Sequence, residues 1–279
     1  MSSPPRAGCA RIAELNVYPV KSAHGIALEE ALLTPTGLAW DRHWMIVGAN
    51  GRFVTQRELP RLALLVPSLS DLELQLRAPG MPELTVPLTH RGDLRRVRVW
   101  EHDCEAFDAG AAAREWLRAF LGRDCALVRF NAAQRRLSSR DCTAEHEAEV
   151  QFADGFPLLA ISAASLADLN RRLSRPLPMN RFRPNIVLDG IGAYEEDHIE
   201  ELGDDAMRLK PVKACTRCRI TTTDQQSGLA EGDEPLRTLR EYRYEPALRG
   251  VCFGQNLIIL KGAGTRLRRG QSLQLRWKA

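Results

Sequence analysis

Two thiols three positions apart, Cys215 and Cys218, sit in KACTRCRITTTD at 213–224, among the cations Lys213, Arg217 and Arg219. Such a pair admits four chemistries. Structural zinc wants four ligands, usually two such pairs or one pair with closely spaced histidines; here there is one pair, and His198 is not in a ligand-like pattern with it. A redox dithiol wants its first sulfur at a helix N-terminus, where the dipole favours the thiolate. Three β-branched residues, Thr221, Thr222 and Thr223, disfavour a helix there. Two packed, inert thiols are the third reading. The fourth is a thiolate ligand: neighbouring cations favour the ionised sulfur, which suits a soft metal whose other ligands are anionic.

Other landmarks of phosphate chemistry are missing. Neither GxxxxGK[ST] nor GxGxxG occurs, so a phosphate-bearing ligand would have to be gripped by cations from separate segments. The 279 residues carry 39 basic and 35 acidic side chains, a net charge of +4, which is too even for a dedicated nucleic-acid binder. At 44% hydrophobic and 27% charged the composition is that of a soluble globular chain, with no apolar run long enough to cross a bilayer. The start, MSSPPRAGCARIAEL, lacks the apolar core of a signal peptide. Seven cysteines at irregular spacing read as reduced thiols in a cytoplasmic chain, with neither a membrane nor a nucleic-acid partner.

The elements that must position these residues are mostly short strands. Residues 10–20 and 43–55 read as strands, the second folded back at Asn50-Gly51 with a loop beginning at Gly48. Alternation predicts strands at 71–77 and 95–100, and 183–190, 206–214, 256–262 and 271–277 are again β-like. Three helices are expected. One spans 109–122, capped by Asp108 and closed by Gly122; one spans 165–174, capped by Ser165 with Asp168 completing the cap; one opens with Pro235 at its first turn. The polar, aperiodic stretch 131–150 reads as a linker or mobile loop between two units, 1–130 and 131–279. Many strands and few helices predict an α+β, β-rich fold of sheets or barrels, not a βαβ sandwich.

Six blocks in order, VYPVKSAHGIALEEA, GLAWDRHWMIV, FVTQRELPRLALL, FADGFPLLAISAASLADLN, NRFRPNIVLDG and ACTRCRITTTDQQSG, resemble the MOSC-domain proteins related to the amidoxime reducing components, from about residue 10 to the C-terminus. The resemblance implies a MOSC β-barrel domain preceded by a MOSC N-terminal β-rich domain, and a molybdenum cofactor (Mo-molybdopterin). It assigns Cys218 to the metal and makes Cys215 a packing neighbour, with Thr216 and Arg217 lining the pterin. Lys21, Ser22, Arg42 and Arg183 carry over to the phosphate side, with Arg57 and Asn185 added. Gly155 and Phe156 replace small hydroxyl residues of the family, so contacts there fall to backbone or to Asp154, which is also a candidate proton donor. The implied reaction is reduction of N-hydroxylated compounds with electrons from an external ferredoxin, flavoprotein or cytochrome. No appended iron–sulfur domain or N-terminal anchor is expected. Two rivals remain: a sulfur or cofactor carrier working through Cys218, and a β-barrel module that binds a phosphate-bearing ligand or nucleic acid through the same cations without a metal.

Overall fold

Alternating apolar residues on the later strands face inward and close a barrel. The computed structural model describes residues 7–278; the first six residues of the segment that argues against a signal peptide lie outside the described residues. Round the barrel the strands run Leu158–Ser162, Ile186–Asp189, Ala7–Val17, Ser272–Trp277, Ile199–Gly203, Arg208–Thr216 and Gly250–Lys261, and Leu158 pairs with Leu257 to complete the circuit. Ile12, Leu158, Ile186, Leu209, Leu257 and Leu273 are buried in the one cluster that fills it. One neighbouring pair, Leu158–Ser162 with Ile186–Asp189, is parallel. Parallel strands need a crossover, and the helix Ala163–Arg172 supplies it. A single βαβ unit therefore sits inside a barrel, where none was expected.

The first half builds a four-stranded antiparallel sheet in the order Trp44–Gly48, Cys125–Phe130, His102–Asp108, Leu94–Val99. One face packs Trp44, Ile46 and Leu127 against Leu117 and Phe120 of the helix Ala111–Leu121. The other packs Met45, Val47 and Val128 against Phe152 from the second half. Burial on both faces is why residues 44–47 form an unbroken apolar run instead of alternating. The return at Asn50-Gly51 is as expected: Gly51 takes φ +73° and the amide of Gly48 donates to Arg52 O at 2.9 Å.

The two halves interleave, because Ala7–Val17 lies in the barrel between two C-terminal strands. The stretch 131–150 is pinned, unlike a free linker. Leu137 bridges Glu149, Ser138 N donates to Ala148 O at 2.8 Å, and the short helix Arg140–Thr143 lies between. Two helix caps differ from expectation. Gly110, not Asp108, precedes the first helix, and Asp108 instead pairs with Arg95 and Arg114 at 3.1 and 2.8 Å. Ser162, three residues earlier than expected, caps the second helix by accepting from Ala164 N. Ser165 turns its hydroxyl to the buried Glu196, and Asp168 pairs with Arg171 and Arg172. Distant partners, Arg95 for Asp108 and Glu196 for Ser165, compete with the expected caps, while Asp168 is taken by arginines one turn on in its own helix. Pro235 stands one residue before the helix Leu236–Arg243.

Candidate functional site

The strand Arg208–Thr216 carries three register shifts against Gly250–Lys261, the last between Ala214 and Thr216. A bulge bends a strand and re-aims the residues that follow, here Arg217 and Cys218. Arg217 N still reaches Val251 O at 2.7 Å. The chain then turns through the 3-10 segment Arg219–Thr222. The threonines explain that turn. Thr221 Oγ1 donates to Cys218 O at 2.9 Å and Thr222 Oγ1 to Arg219 O at 2.8 Å, so the hydroxyls satisfy carbonyls that a strand would have paired. Cys218 is exposed, and its sulfur has no hydrogen-bond partner among the described residues. Cys215 packs partly beside the cluster holding Phe182 and Phe253, and its sulfur accepts from Arg217 Nη1 at 2.9 Å.

Cys218 opens into a cavity of about 480 Å³. Every residue expected from the sequence to serve the site lines this one cavity: Lys21, Ser22, Arg42, Arg57, Asp154, Gly155, Arg183, Asn185, Thr216 and Arg217 join Cys218 there. They come from loops and strand ends of both halves, the places where a rigid scaffold presents functional side chains. A second cavity, about 560 Å³, shares Lys213 with the first and holds none of the expected site residues.

Arg42 and Arg183 form the cationic end. Both guanidinium groups stand over the ring of Tyr18, at 4.4 and 4.3 Å from its centroid. Arg42 pairs with the buried Asp41, which also accepts from Tyr18 N at 2.8 Å. Arg42 further donates to Asn185 Oδ1 at 3.2 Å and to Arg183 O at 3.3 Å, while Arg183 donates to Ala23 O at 2.6 Å. Asn185 ties the end together, since its amide donates to Asn16 O and its Oδ1 accepts from Leu159 N, both at 3.1 Å. Burial lowers Arg183 to about 10 and pushes the Tyr18 hydroxyl up to about 12. Two like charges held this close store repulsion that an anion would relieve.

Lys21 is only 6% exposed. Its Nζ donates to Phe152 O at 2.8 Å and to Asp154 Oδ1 at 2.5 Å. Burial lowers the Lys21 pKa, and Asp154 opposes that shift. Asp154 lies within the cavity, where reduced hydration acts to raise its pKa although the side chain is open to the cavity, but the Lys21 charge and the hydrogen bonds from Lys21 and Trp100 outweigh it and hold the carboxyl well below its usual range. Asp154 as placed is therefore a carboxylate, and the proton of the pair resides on Nζ. Four of the eight non-glycine residues with positive φ among the described residues, Ser22, Arg42, Trp100 and Arg183, line the cavity. Such backbone is costly for side-chain-bearing residues and gathers at functional sites.

No cluster of three or more His, Cys, Asp or Glu that could hold a metal ion occurs among the described residues. A metal here must bring most of its own ligands, and a lone accessible thiol suits that case. The profile of the MOSC N-terminal beta barrel domain matches residues 9–124, and that of the MOSC domain matches residues 147–274. The mitochondrial amidoxime-reducing component 1 of Mus musculus is 38% identical over 269 residues, covering 91% of this chain and 79% of its own. The chain belongs to the amidoxime-reducing-component family of MOSC-domain proteins. The mitochondrial amidoxime reducing component 2 of Bos taurus is 37% identical and that of Homo sapiens 36%, each over 83% of this chain and 72% of the relative. Among solved structures, the YUAD protein from Bacillus subtilis covers 99% of this chain and 100% of its own at TM-score 0.47 and 10% identity.

This amidoxime-reducing-component relative contains working parts that the sequence reading did not single out. Trp100 ends an alternating strand and looked like its last apolar residue; a large aromatic next to the charged run EHD was the available signal. Its indole Nε1 donates to Asp154 Oδ1 at 3.1 Å, and the Arg57 guanidinium stands 4.7 Å over its rings. Arg136, in the stretch read as a linker, donates to Gln151 O, Ala153 O and Asp154 O at 2.8, 2.5 and 3.0 Å. Gln56 and Gln225 exchange amide hydrogen bonds at 3.2 and 3.0 Å, linking the loop of Arg57 to the turn after Cys218. Nothing in the local sequence marks Arg136 or the glutamine pair, because each is defined by a distant partner.

Proposed function

We propose that the protein is a molybdenum-dependent reductase of N-hydroxylated compounds: amidoximes, hydroxylamines and N-hydroxylated bases. The observation that carries this reading is the convergence of one unpartnered, exposed thiol, Cys218, with Lys21, Arg42 and Arg183 in a single cavity. The names of the relatives, amidoxime-reducing components, supply the substrate class. The residues present fit a molybdenum–pterin phosphate. Cys218 would bond the metal through its thiolate, and Arg42, Arg183 and Lys21 would hold the phosphate, the guanidinium groups bidentately and the ammonium as a point charge. Thr216 and Arg217 would line the pterin, and Ser22, Arg57, Gly155 and Asn185 would complete the wall. Among the described residues the buried Nε of Arg217 has no partner, which leaves a donor for such a ligand.

When bound, the group supplies two-electron redox chemistry, so an amidoxime plus two electrons and two protons gives the amidine and water. The chain does the rest. The cations neutralise the ligand's charge and fix its orientation. The Lys21–Asp154 contact stores a proton at Nζ, and an anion drawing on Lys21 would free Asp154 to take part in proton delivery. The electrons come from an external donor of ferredoxin, flavoprotein or cytochrome type. The reading keeps a cytoplasmic location and treats 1–130 and 131–279 as two units meeting at the cavity, the first lending its N-terminal strand to the second.

The test is purification from a host that makes the pterin cofactor, with metal measured by mass spectrometry. Molybdenum near one per chain, lost in Cys218→Ser, and benzamidoxime reduction with an artificial donor are expected. An accessible thiol at Cys218 also suits a sulfur or cofactor carrier; labile sulfur on Cys218 with no turnover would replace the reductase reading with that one.

A further inference from the structure

The first half contributes one large aromatic residue to the cavity wall, and its setting is built rather than incidental. Trp100 sits where Leu94–Val99 turns into His102–Asp108, with φ +54°. A tryptophan in left-handed backbone is held there by its surroundings. Its indole N–H is bonded to Asp154 Oδ1, the Arg57 guanidinium covers its rings at 4.7 Å, and the Phe53 ring meets it at 5.1 Å and 61°. The residue nonetheless remains 38% exposed and lines the cavity. Asp154 Oδ1 already accepts from both Lys21 and Trp100, while its Oδ2 accepts no hydrogen bond among the described residues and its side chain is 70% exposed. One wall therefore presents a stacked indole and guanidinium and, beside it, a carboxylate oxygen without a donor among the described residues.

We propose that Trp100, with Arg57 and Asp154, is the substrate-selecting wall of the cavity and that it favours planar, conjugated N-hydroxylated substrates bearing an adjacent N–H. Aryl amidoximes and N-hydroxylated aminopurines and aminopyrimidines have both features. Their rings stack on indole or guanidinium, and the N–H next to the N–OH, an amino group in amidoximes and a ring N–H in the imino form of the bases, donates to Asp154 Oδ2. A saturated or short-chain substrate has no ring to stack. Aromatic stacking on a planar base and cation–π contact are both tolerant of the exact ring, so the wall selects by flatness, not by identity. The inference rests on the reductase reading and deepens it.

The experiment compares benzamidoxime with acetamidoxime, which carries the same reacting group without the ring. Wild type, Trp100→Phe and Trp100→Ala are assayed as loaded enzyme with an artificial donor. Binding of each compound is measured separately by titration calorimetry in the absence of any donor. Trp100→Ala should lower the benzamidoxime-to-acetamidoxime ratio of kcat/KM about tenfold, mainly through KM, and weaken benzamidoxime binding by about the same factor. Trp100→Phe keeps a ring but not the N–H, so it should retain most of the ratio. Equal losses for both substrates, with the ratio unmoved, would overturn the proposal and reduce Trp100 to a support for Asp154. If wild type reduces neither compound, the reductase reading fails; selective calorimetric binding of benzamidoxime that depends on Trp100 would still uphold the wall, and its absence would remove both.

Discussion

Arg136→Met should cost the protein about 3 kcal/mol of stability, and the figure follows from three hydrogen bonds. Arg136 is 6% exposed, and its guanidinium donates to the carbonyls of Gln151, Ala153 and Asp154. Lys21 takes the remaining carbonyl of that run, Phe152 O. Two buried cations thus hold four successive peptide oxygens and with them the position of Asp154. A buried carbonyl left without a donor costs roughly 1–3 kcal/mol, so stranding three costs about 3–9 before any relief. Against this stand the desolvation that lowers the Arg136 pKa and its buried Nε, which has no partner. Methionine removes both costs and fills much of the space, returning several kcal/mol and leaving the net near 3. For a chain of this size that is a fall in Tm of about 6–12 °C. Arg136→Lys, which keeps the charge but only one donor direction, should fall between. Urea and thermal unfolding followed by circular dichroism and tryptophan fluorescence measure both variants. A loss under about 1 kcal/mol in Arg136→Met would mean that water reaches those carbonyls and that Arg136 does not hold the loop.

Lys21→Met should make stability depend less on pH below about 4. Asp154 has a depressed carboxyl pKa in the folded state, so its contribution is complete above its unfolded value of about 4 and is lost as pH falls toward the folded value; without Lys21 there is less to lose, so the stability gap between wild type and variant should narrow on acidification, and a gap that stays constant in urea unfolding across that range would contradict the pairing. At neutral pH the same variant also removes the cost of burying an ammonium whose pKa burial lowers, which offsets part of the loss of the pair. Gln225→Leu should cost about 1–3 kcal/mol by stranding the Gln56 amide, and the double replacement with Gln56→Leu should cost less than the sum of the two singles. Additive losses in urea unfolding would show that the two amides are not coupled.

The sequence alone determined what depends on near neighbours. Alternation located the strand at 95–100 and β-like runs those at 206–214 and 271–277, Asn50-Gly51 marked its turn, and Gly122 its helix end, because a side-chain period or a backbone dihedral is a local property. The six ordered blocks also named residues that meet in space: the cations of PVKS, DRHW and FRPN and the thiol of CTRC line one cavity. What the sequence could not settle were the choices between local and distant partners. Asp108 and Ser165 had the composition of caps, yet Arg95, Arg114 and Glu196 claimed their side chains. Arg136 looked like part of a solvated linker until the loop at 151–154 offered it three carbonyls. Trp100 looked like the end of a strand until Asp154, Arg57 and Phe53 fixed it at the cavity wall. Tertiary structure alone also placed the first strand between two of the last, since a barrel closes through hydrogen bonds between residues that lie far apart in the chain.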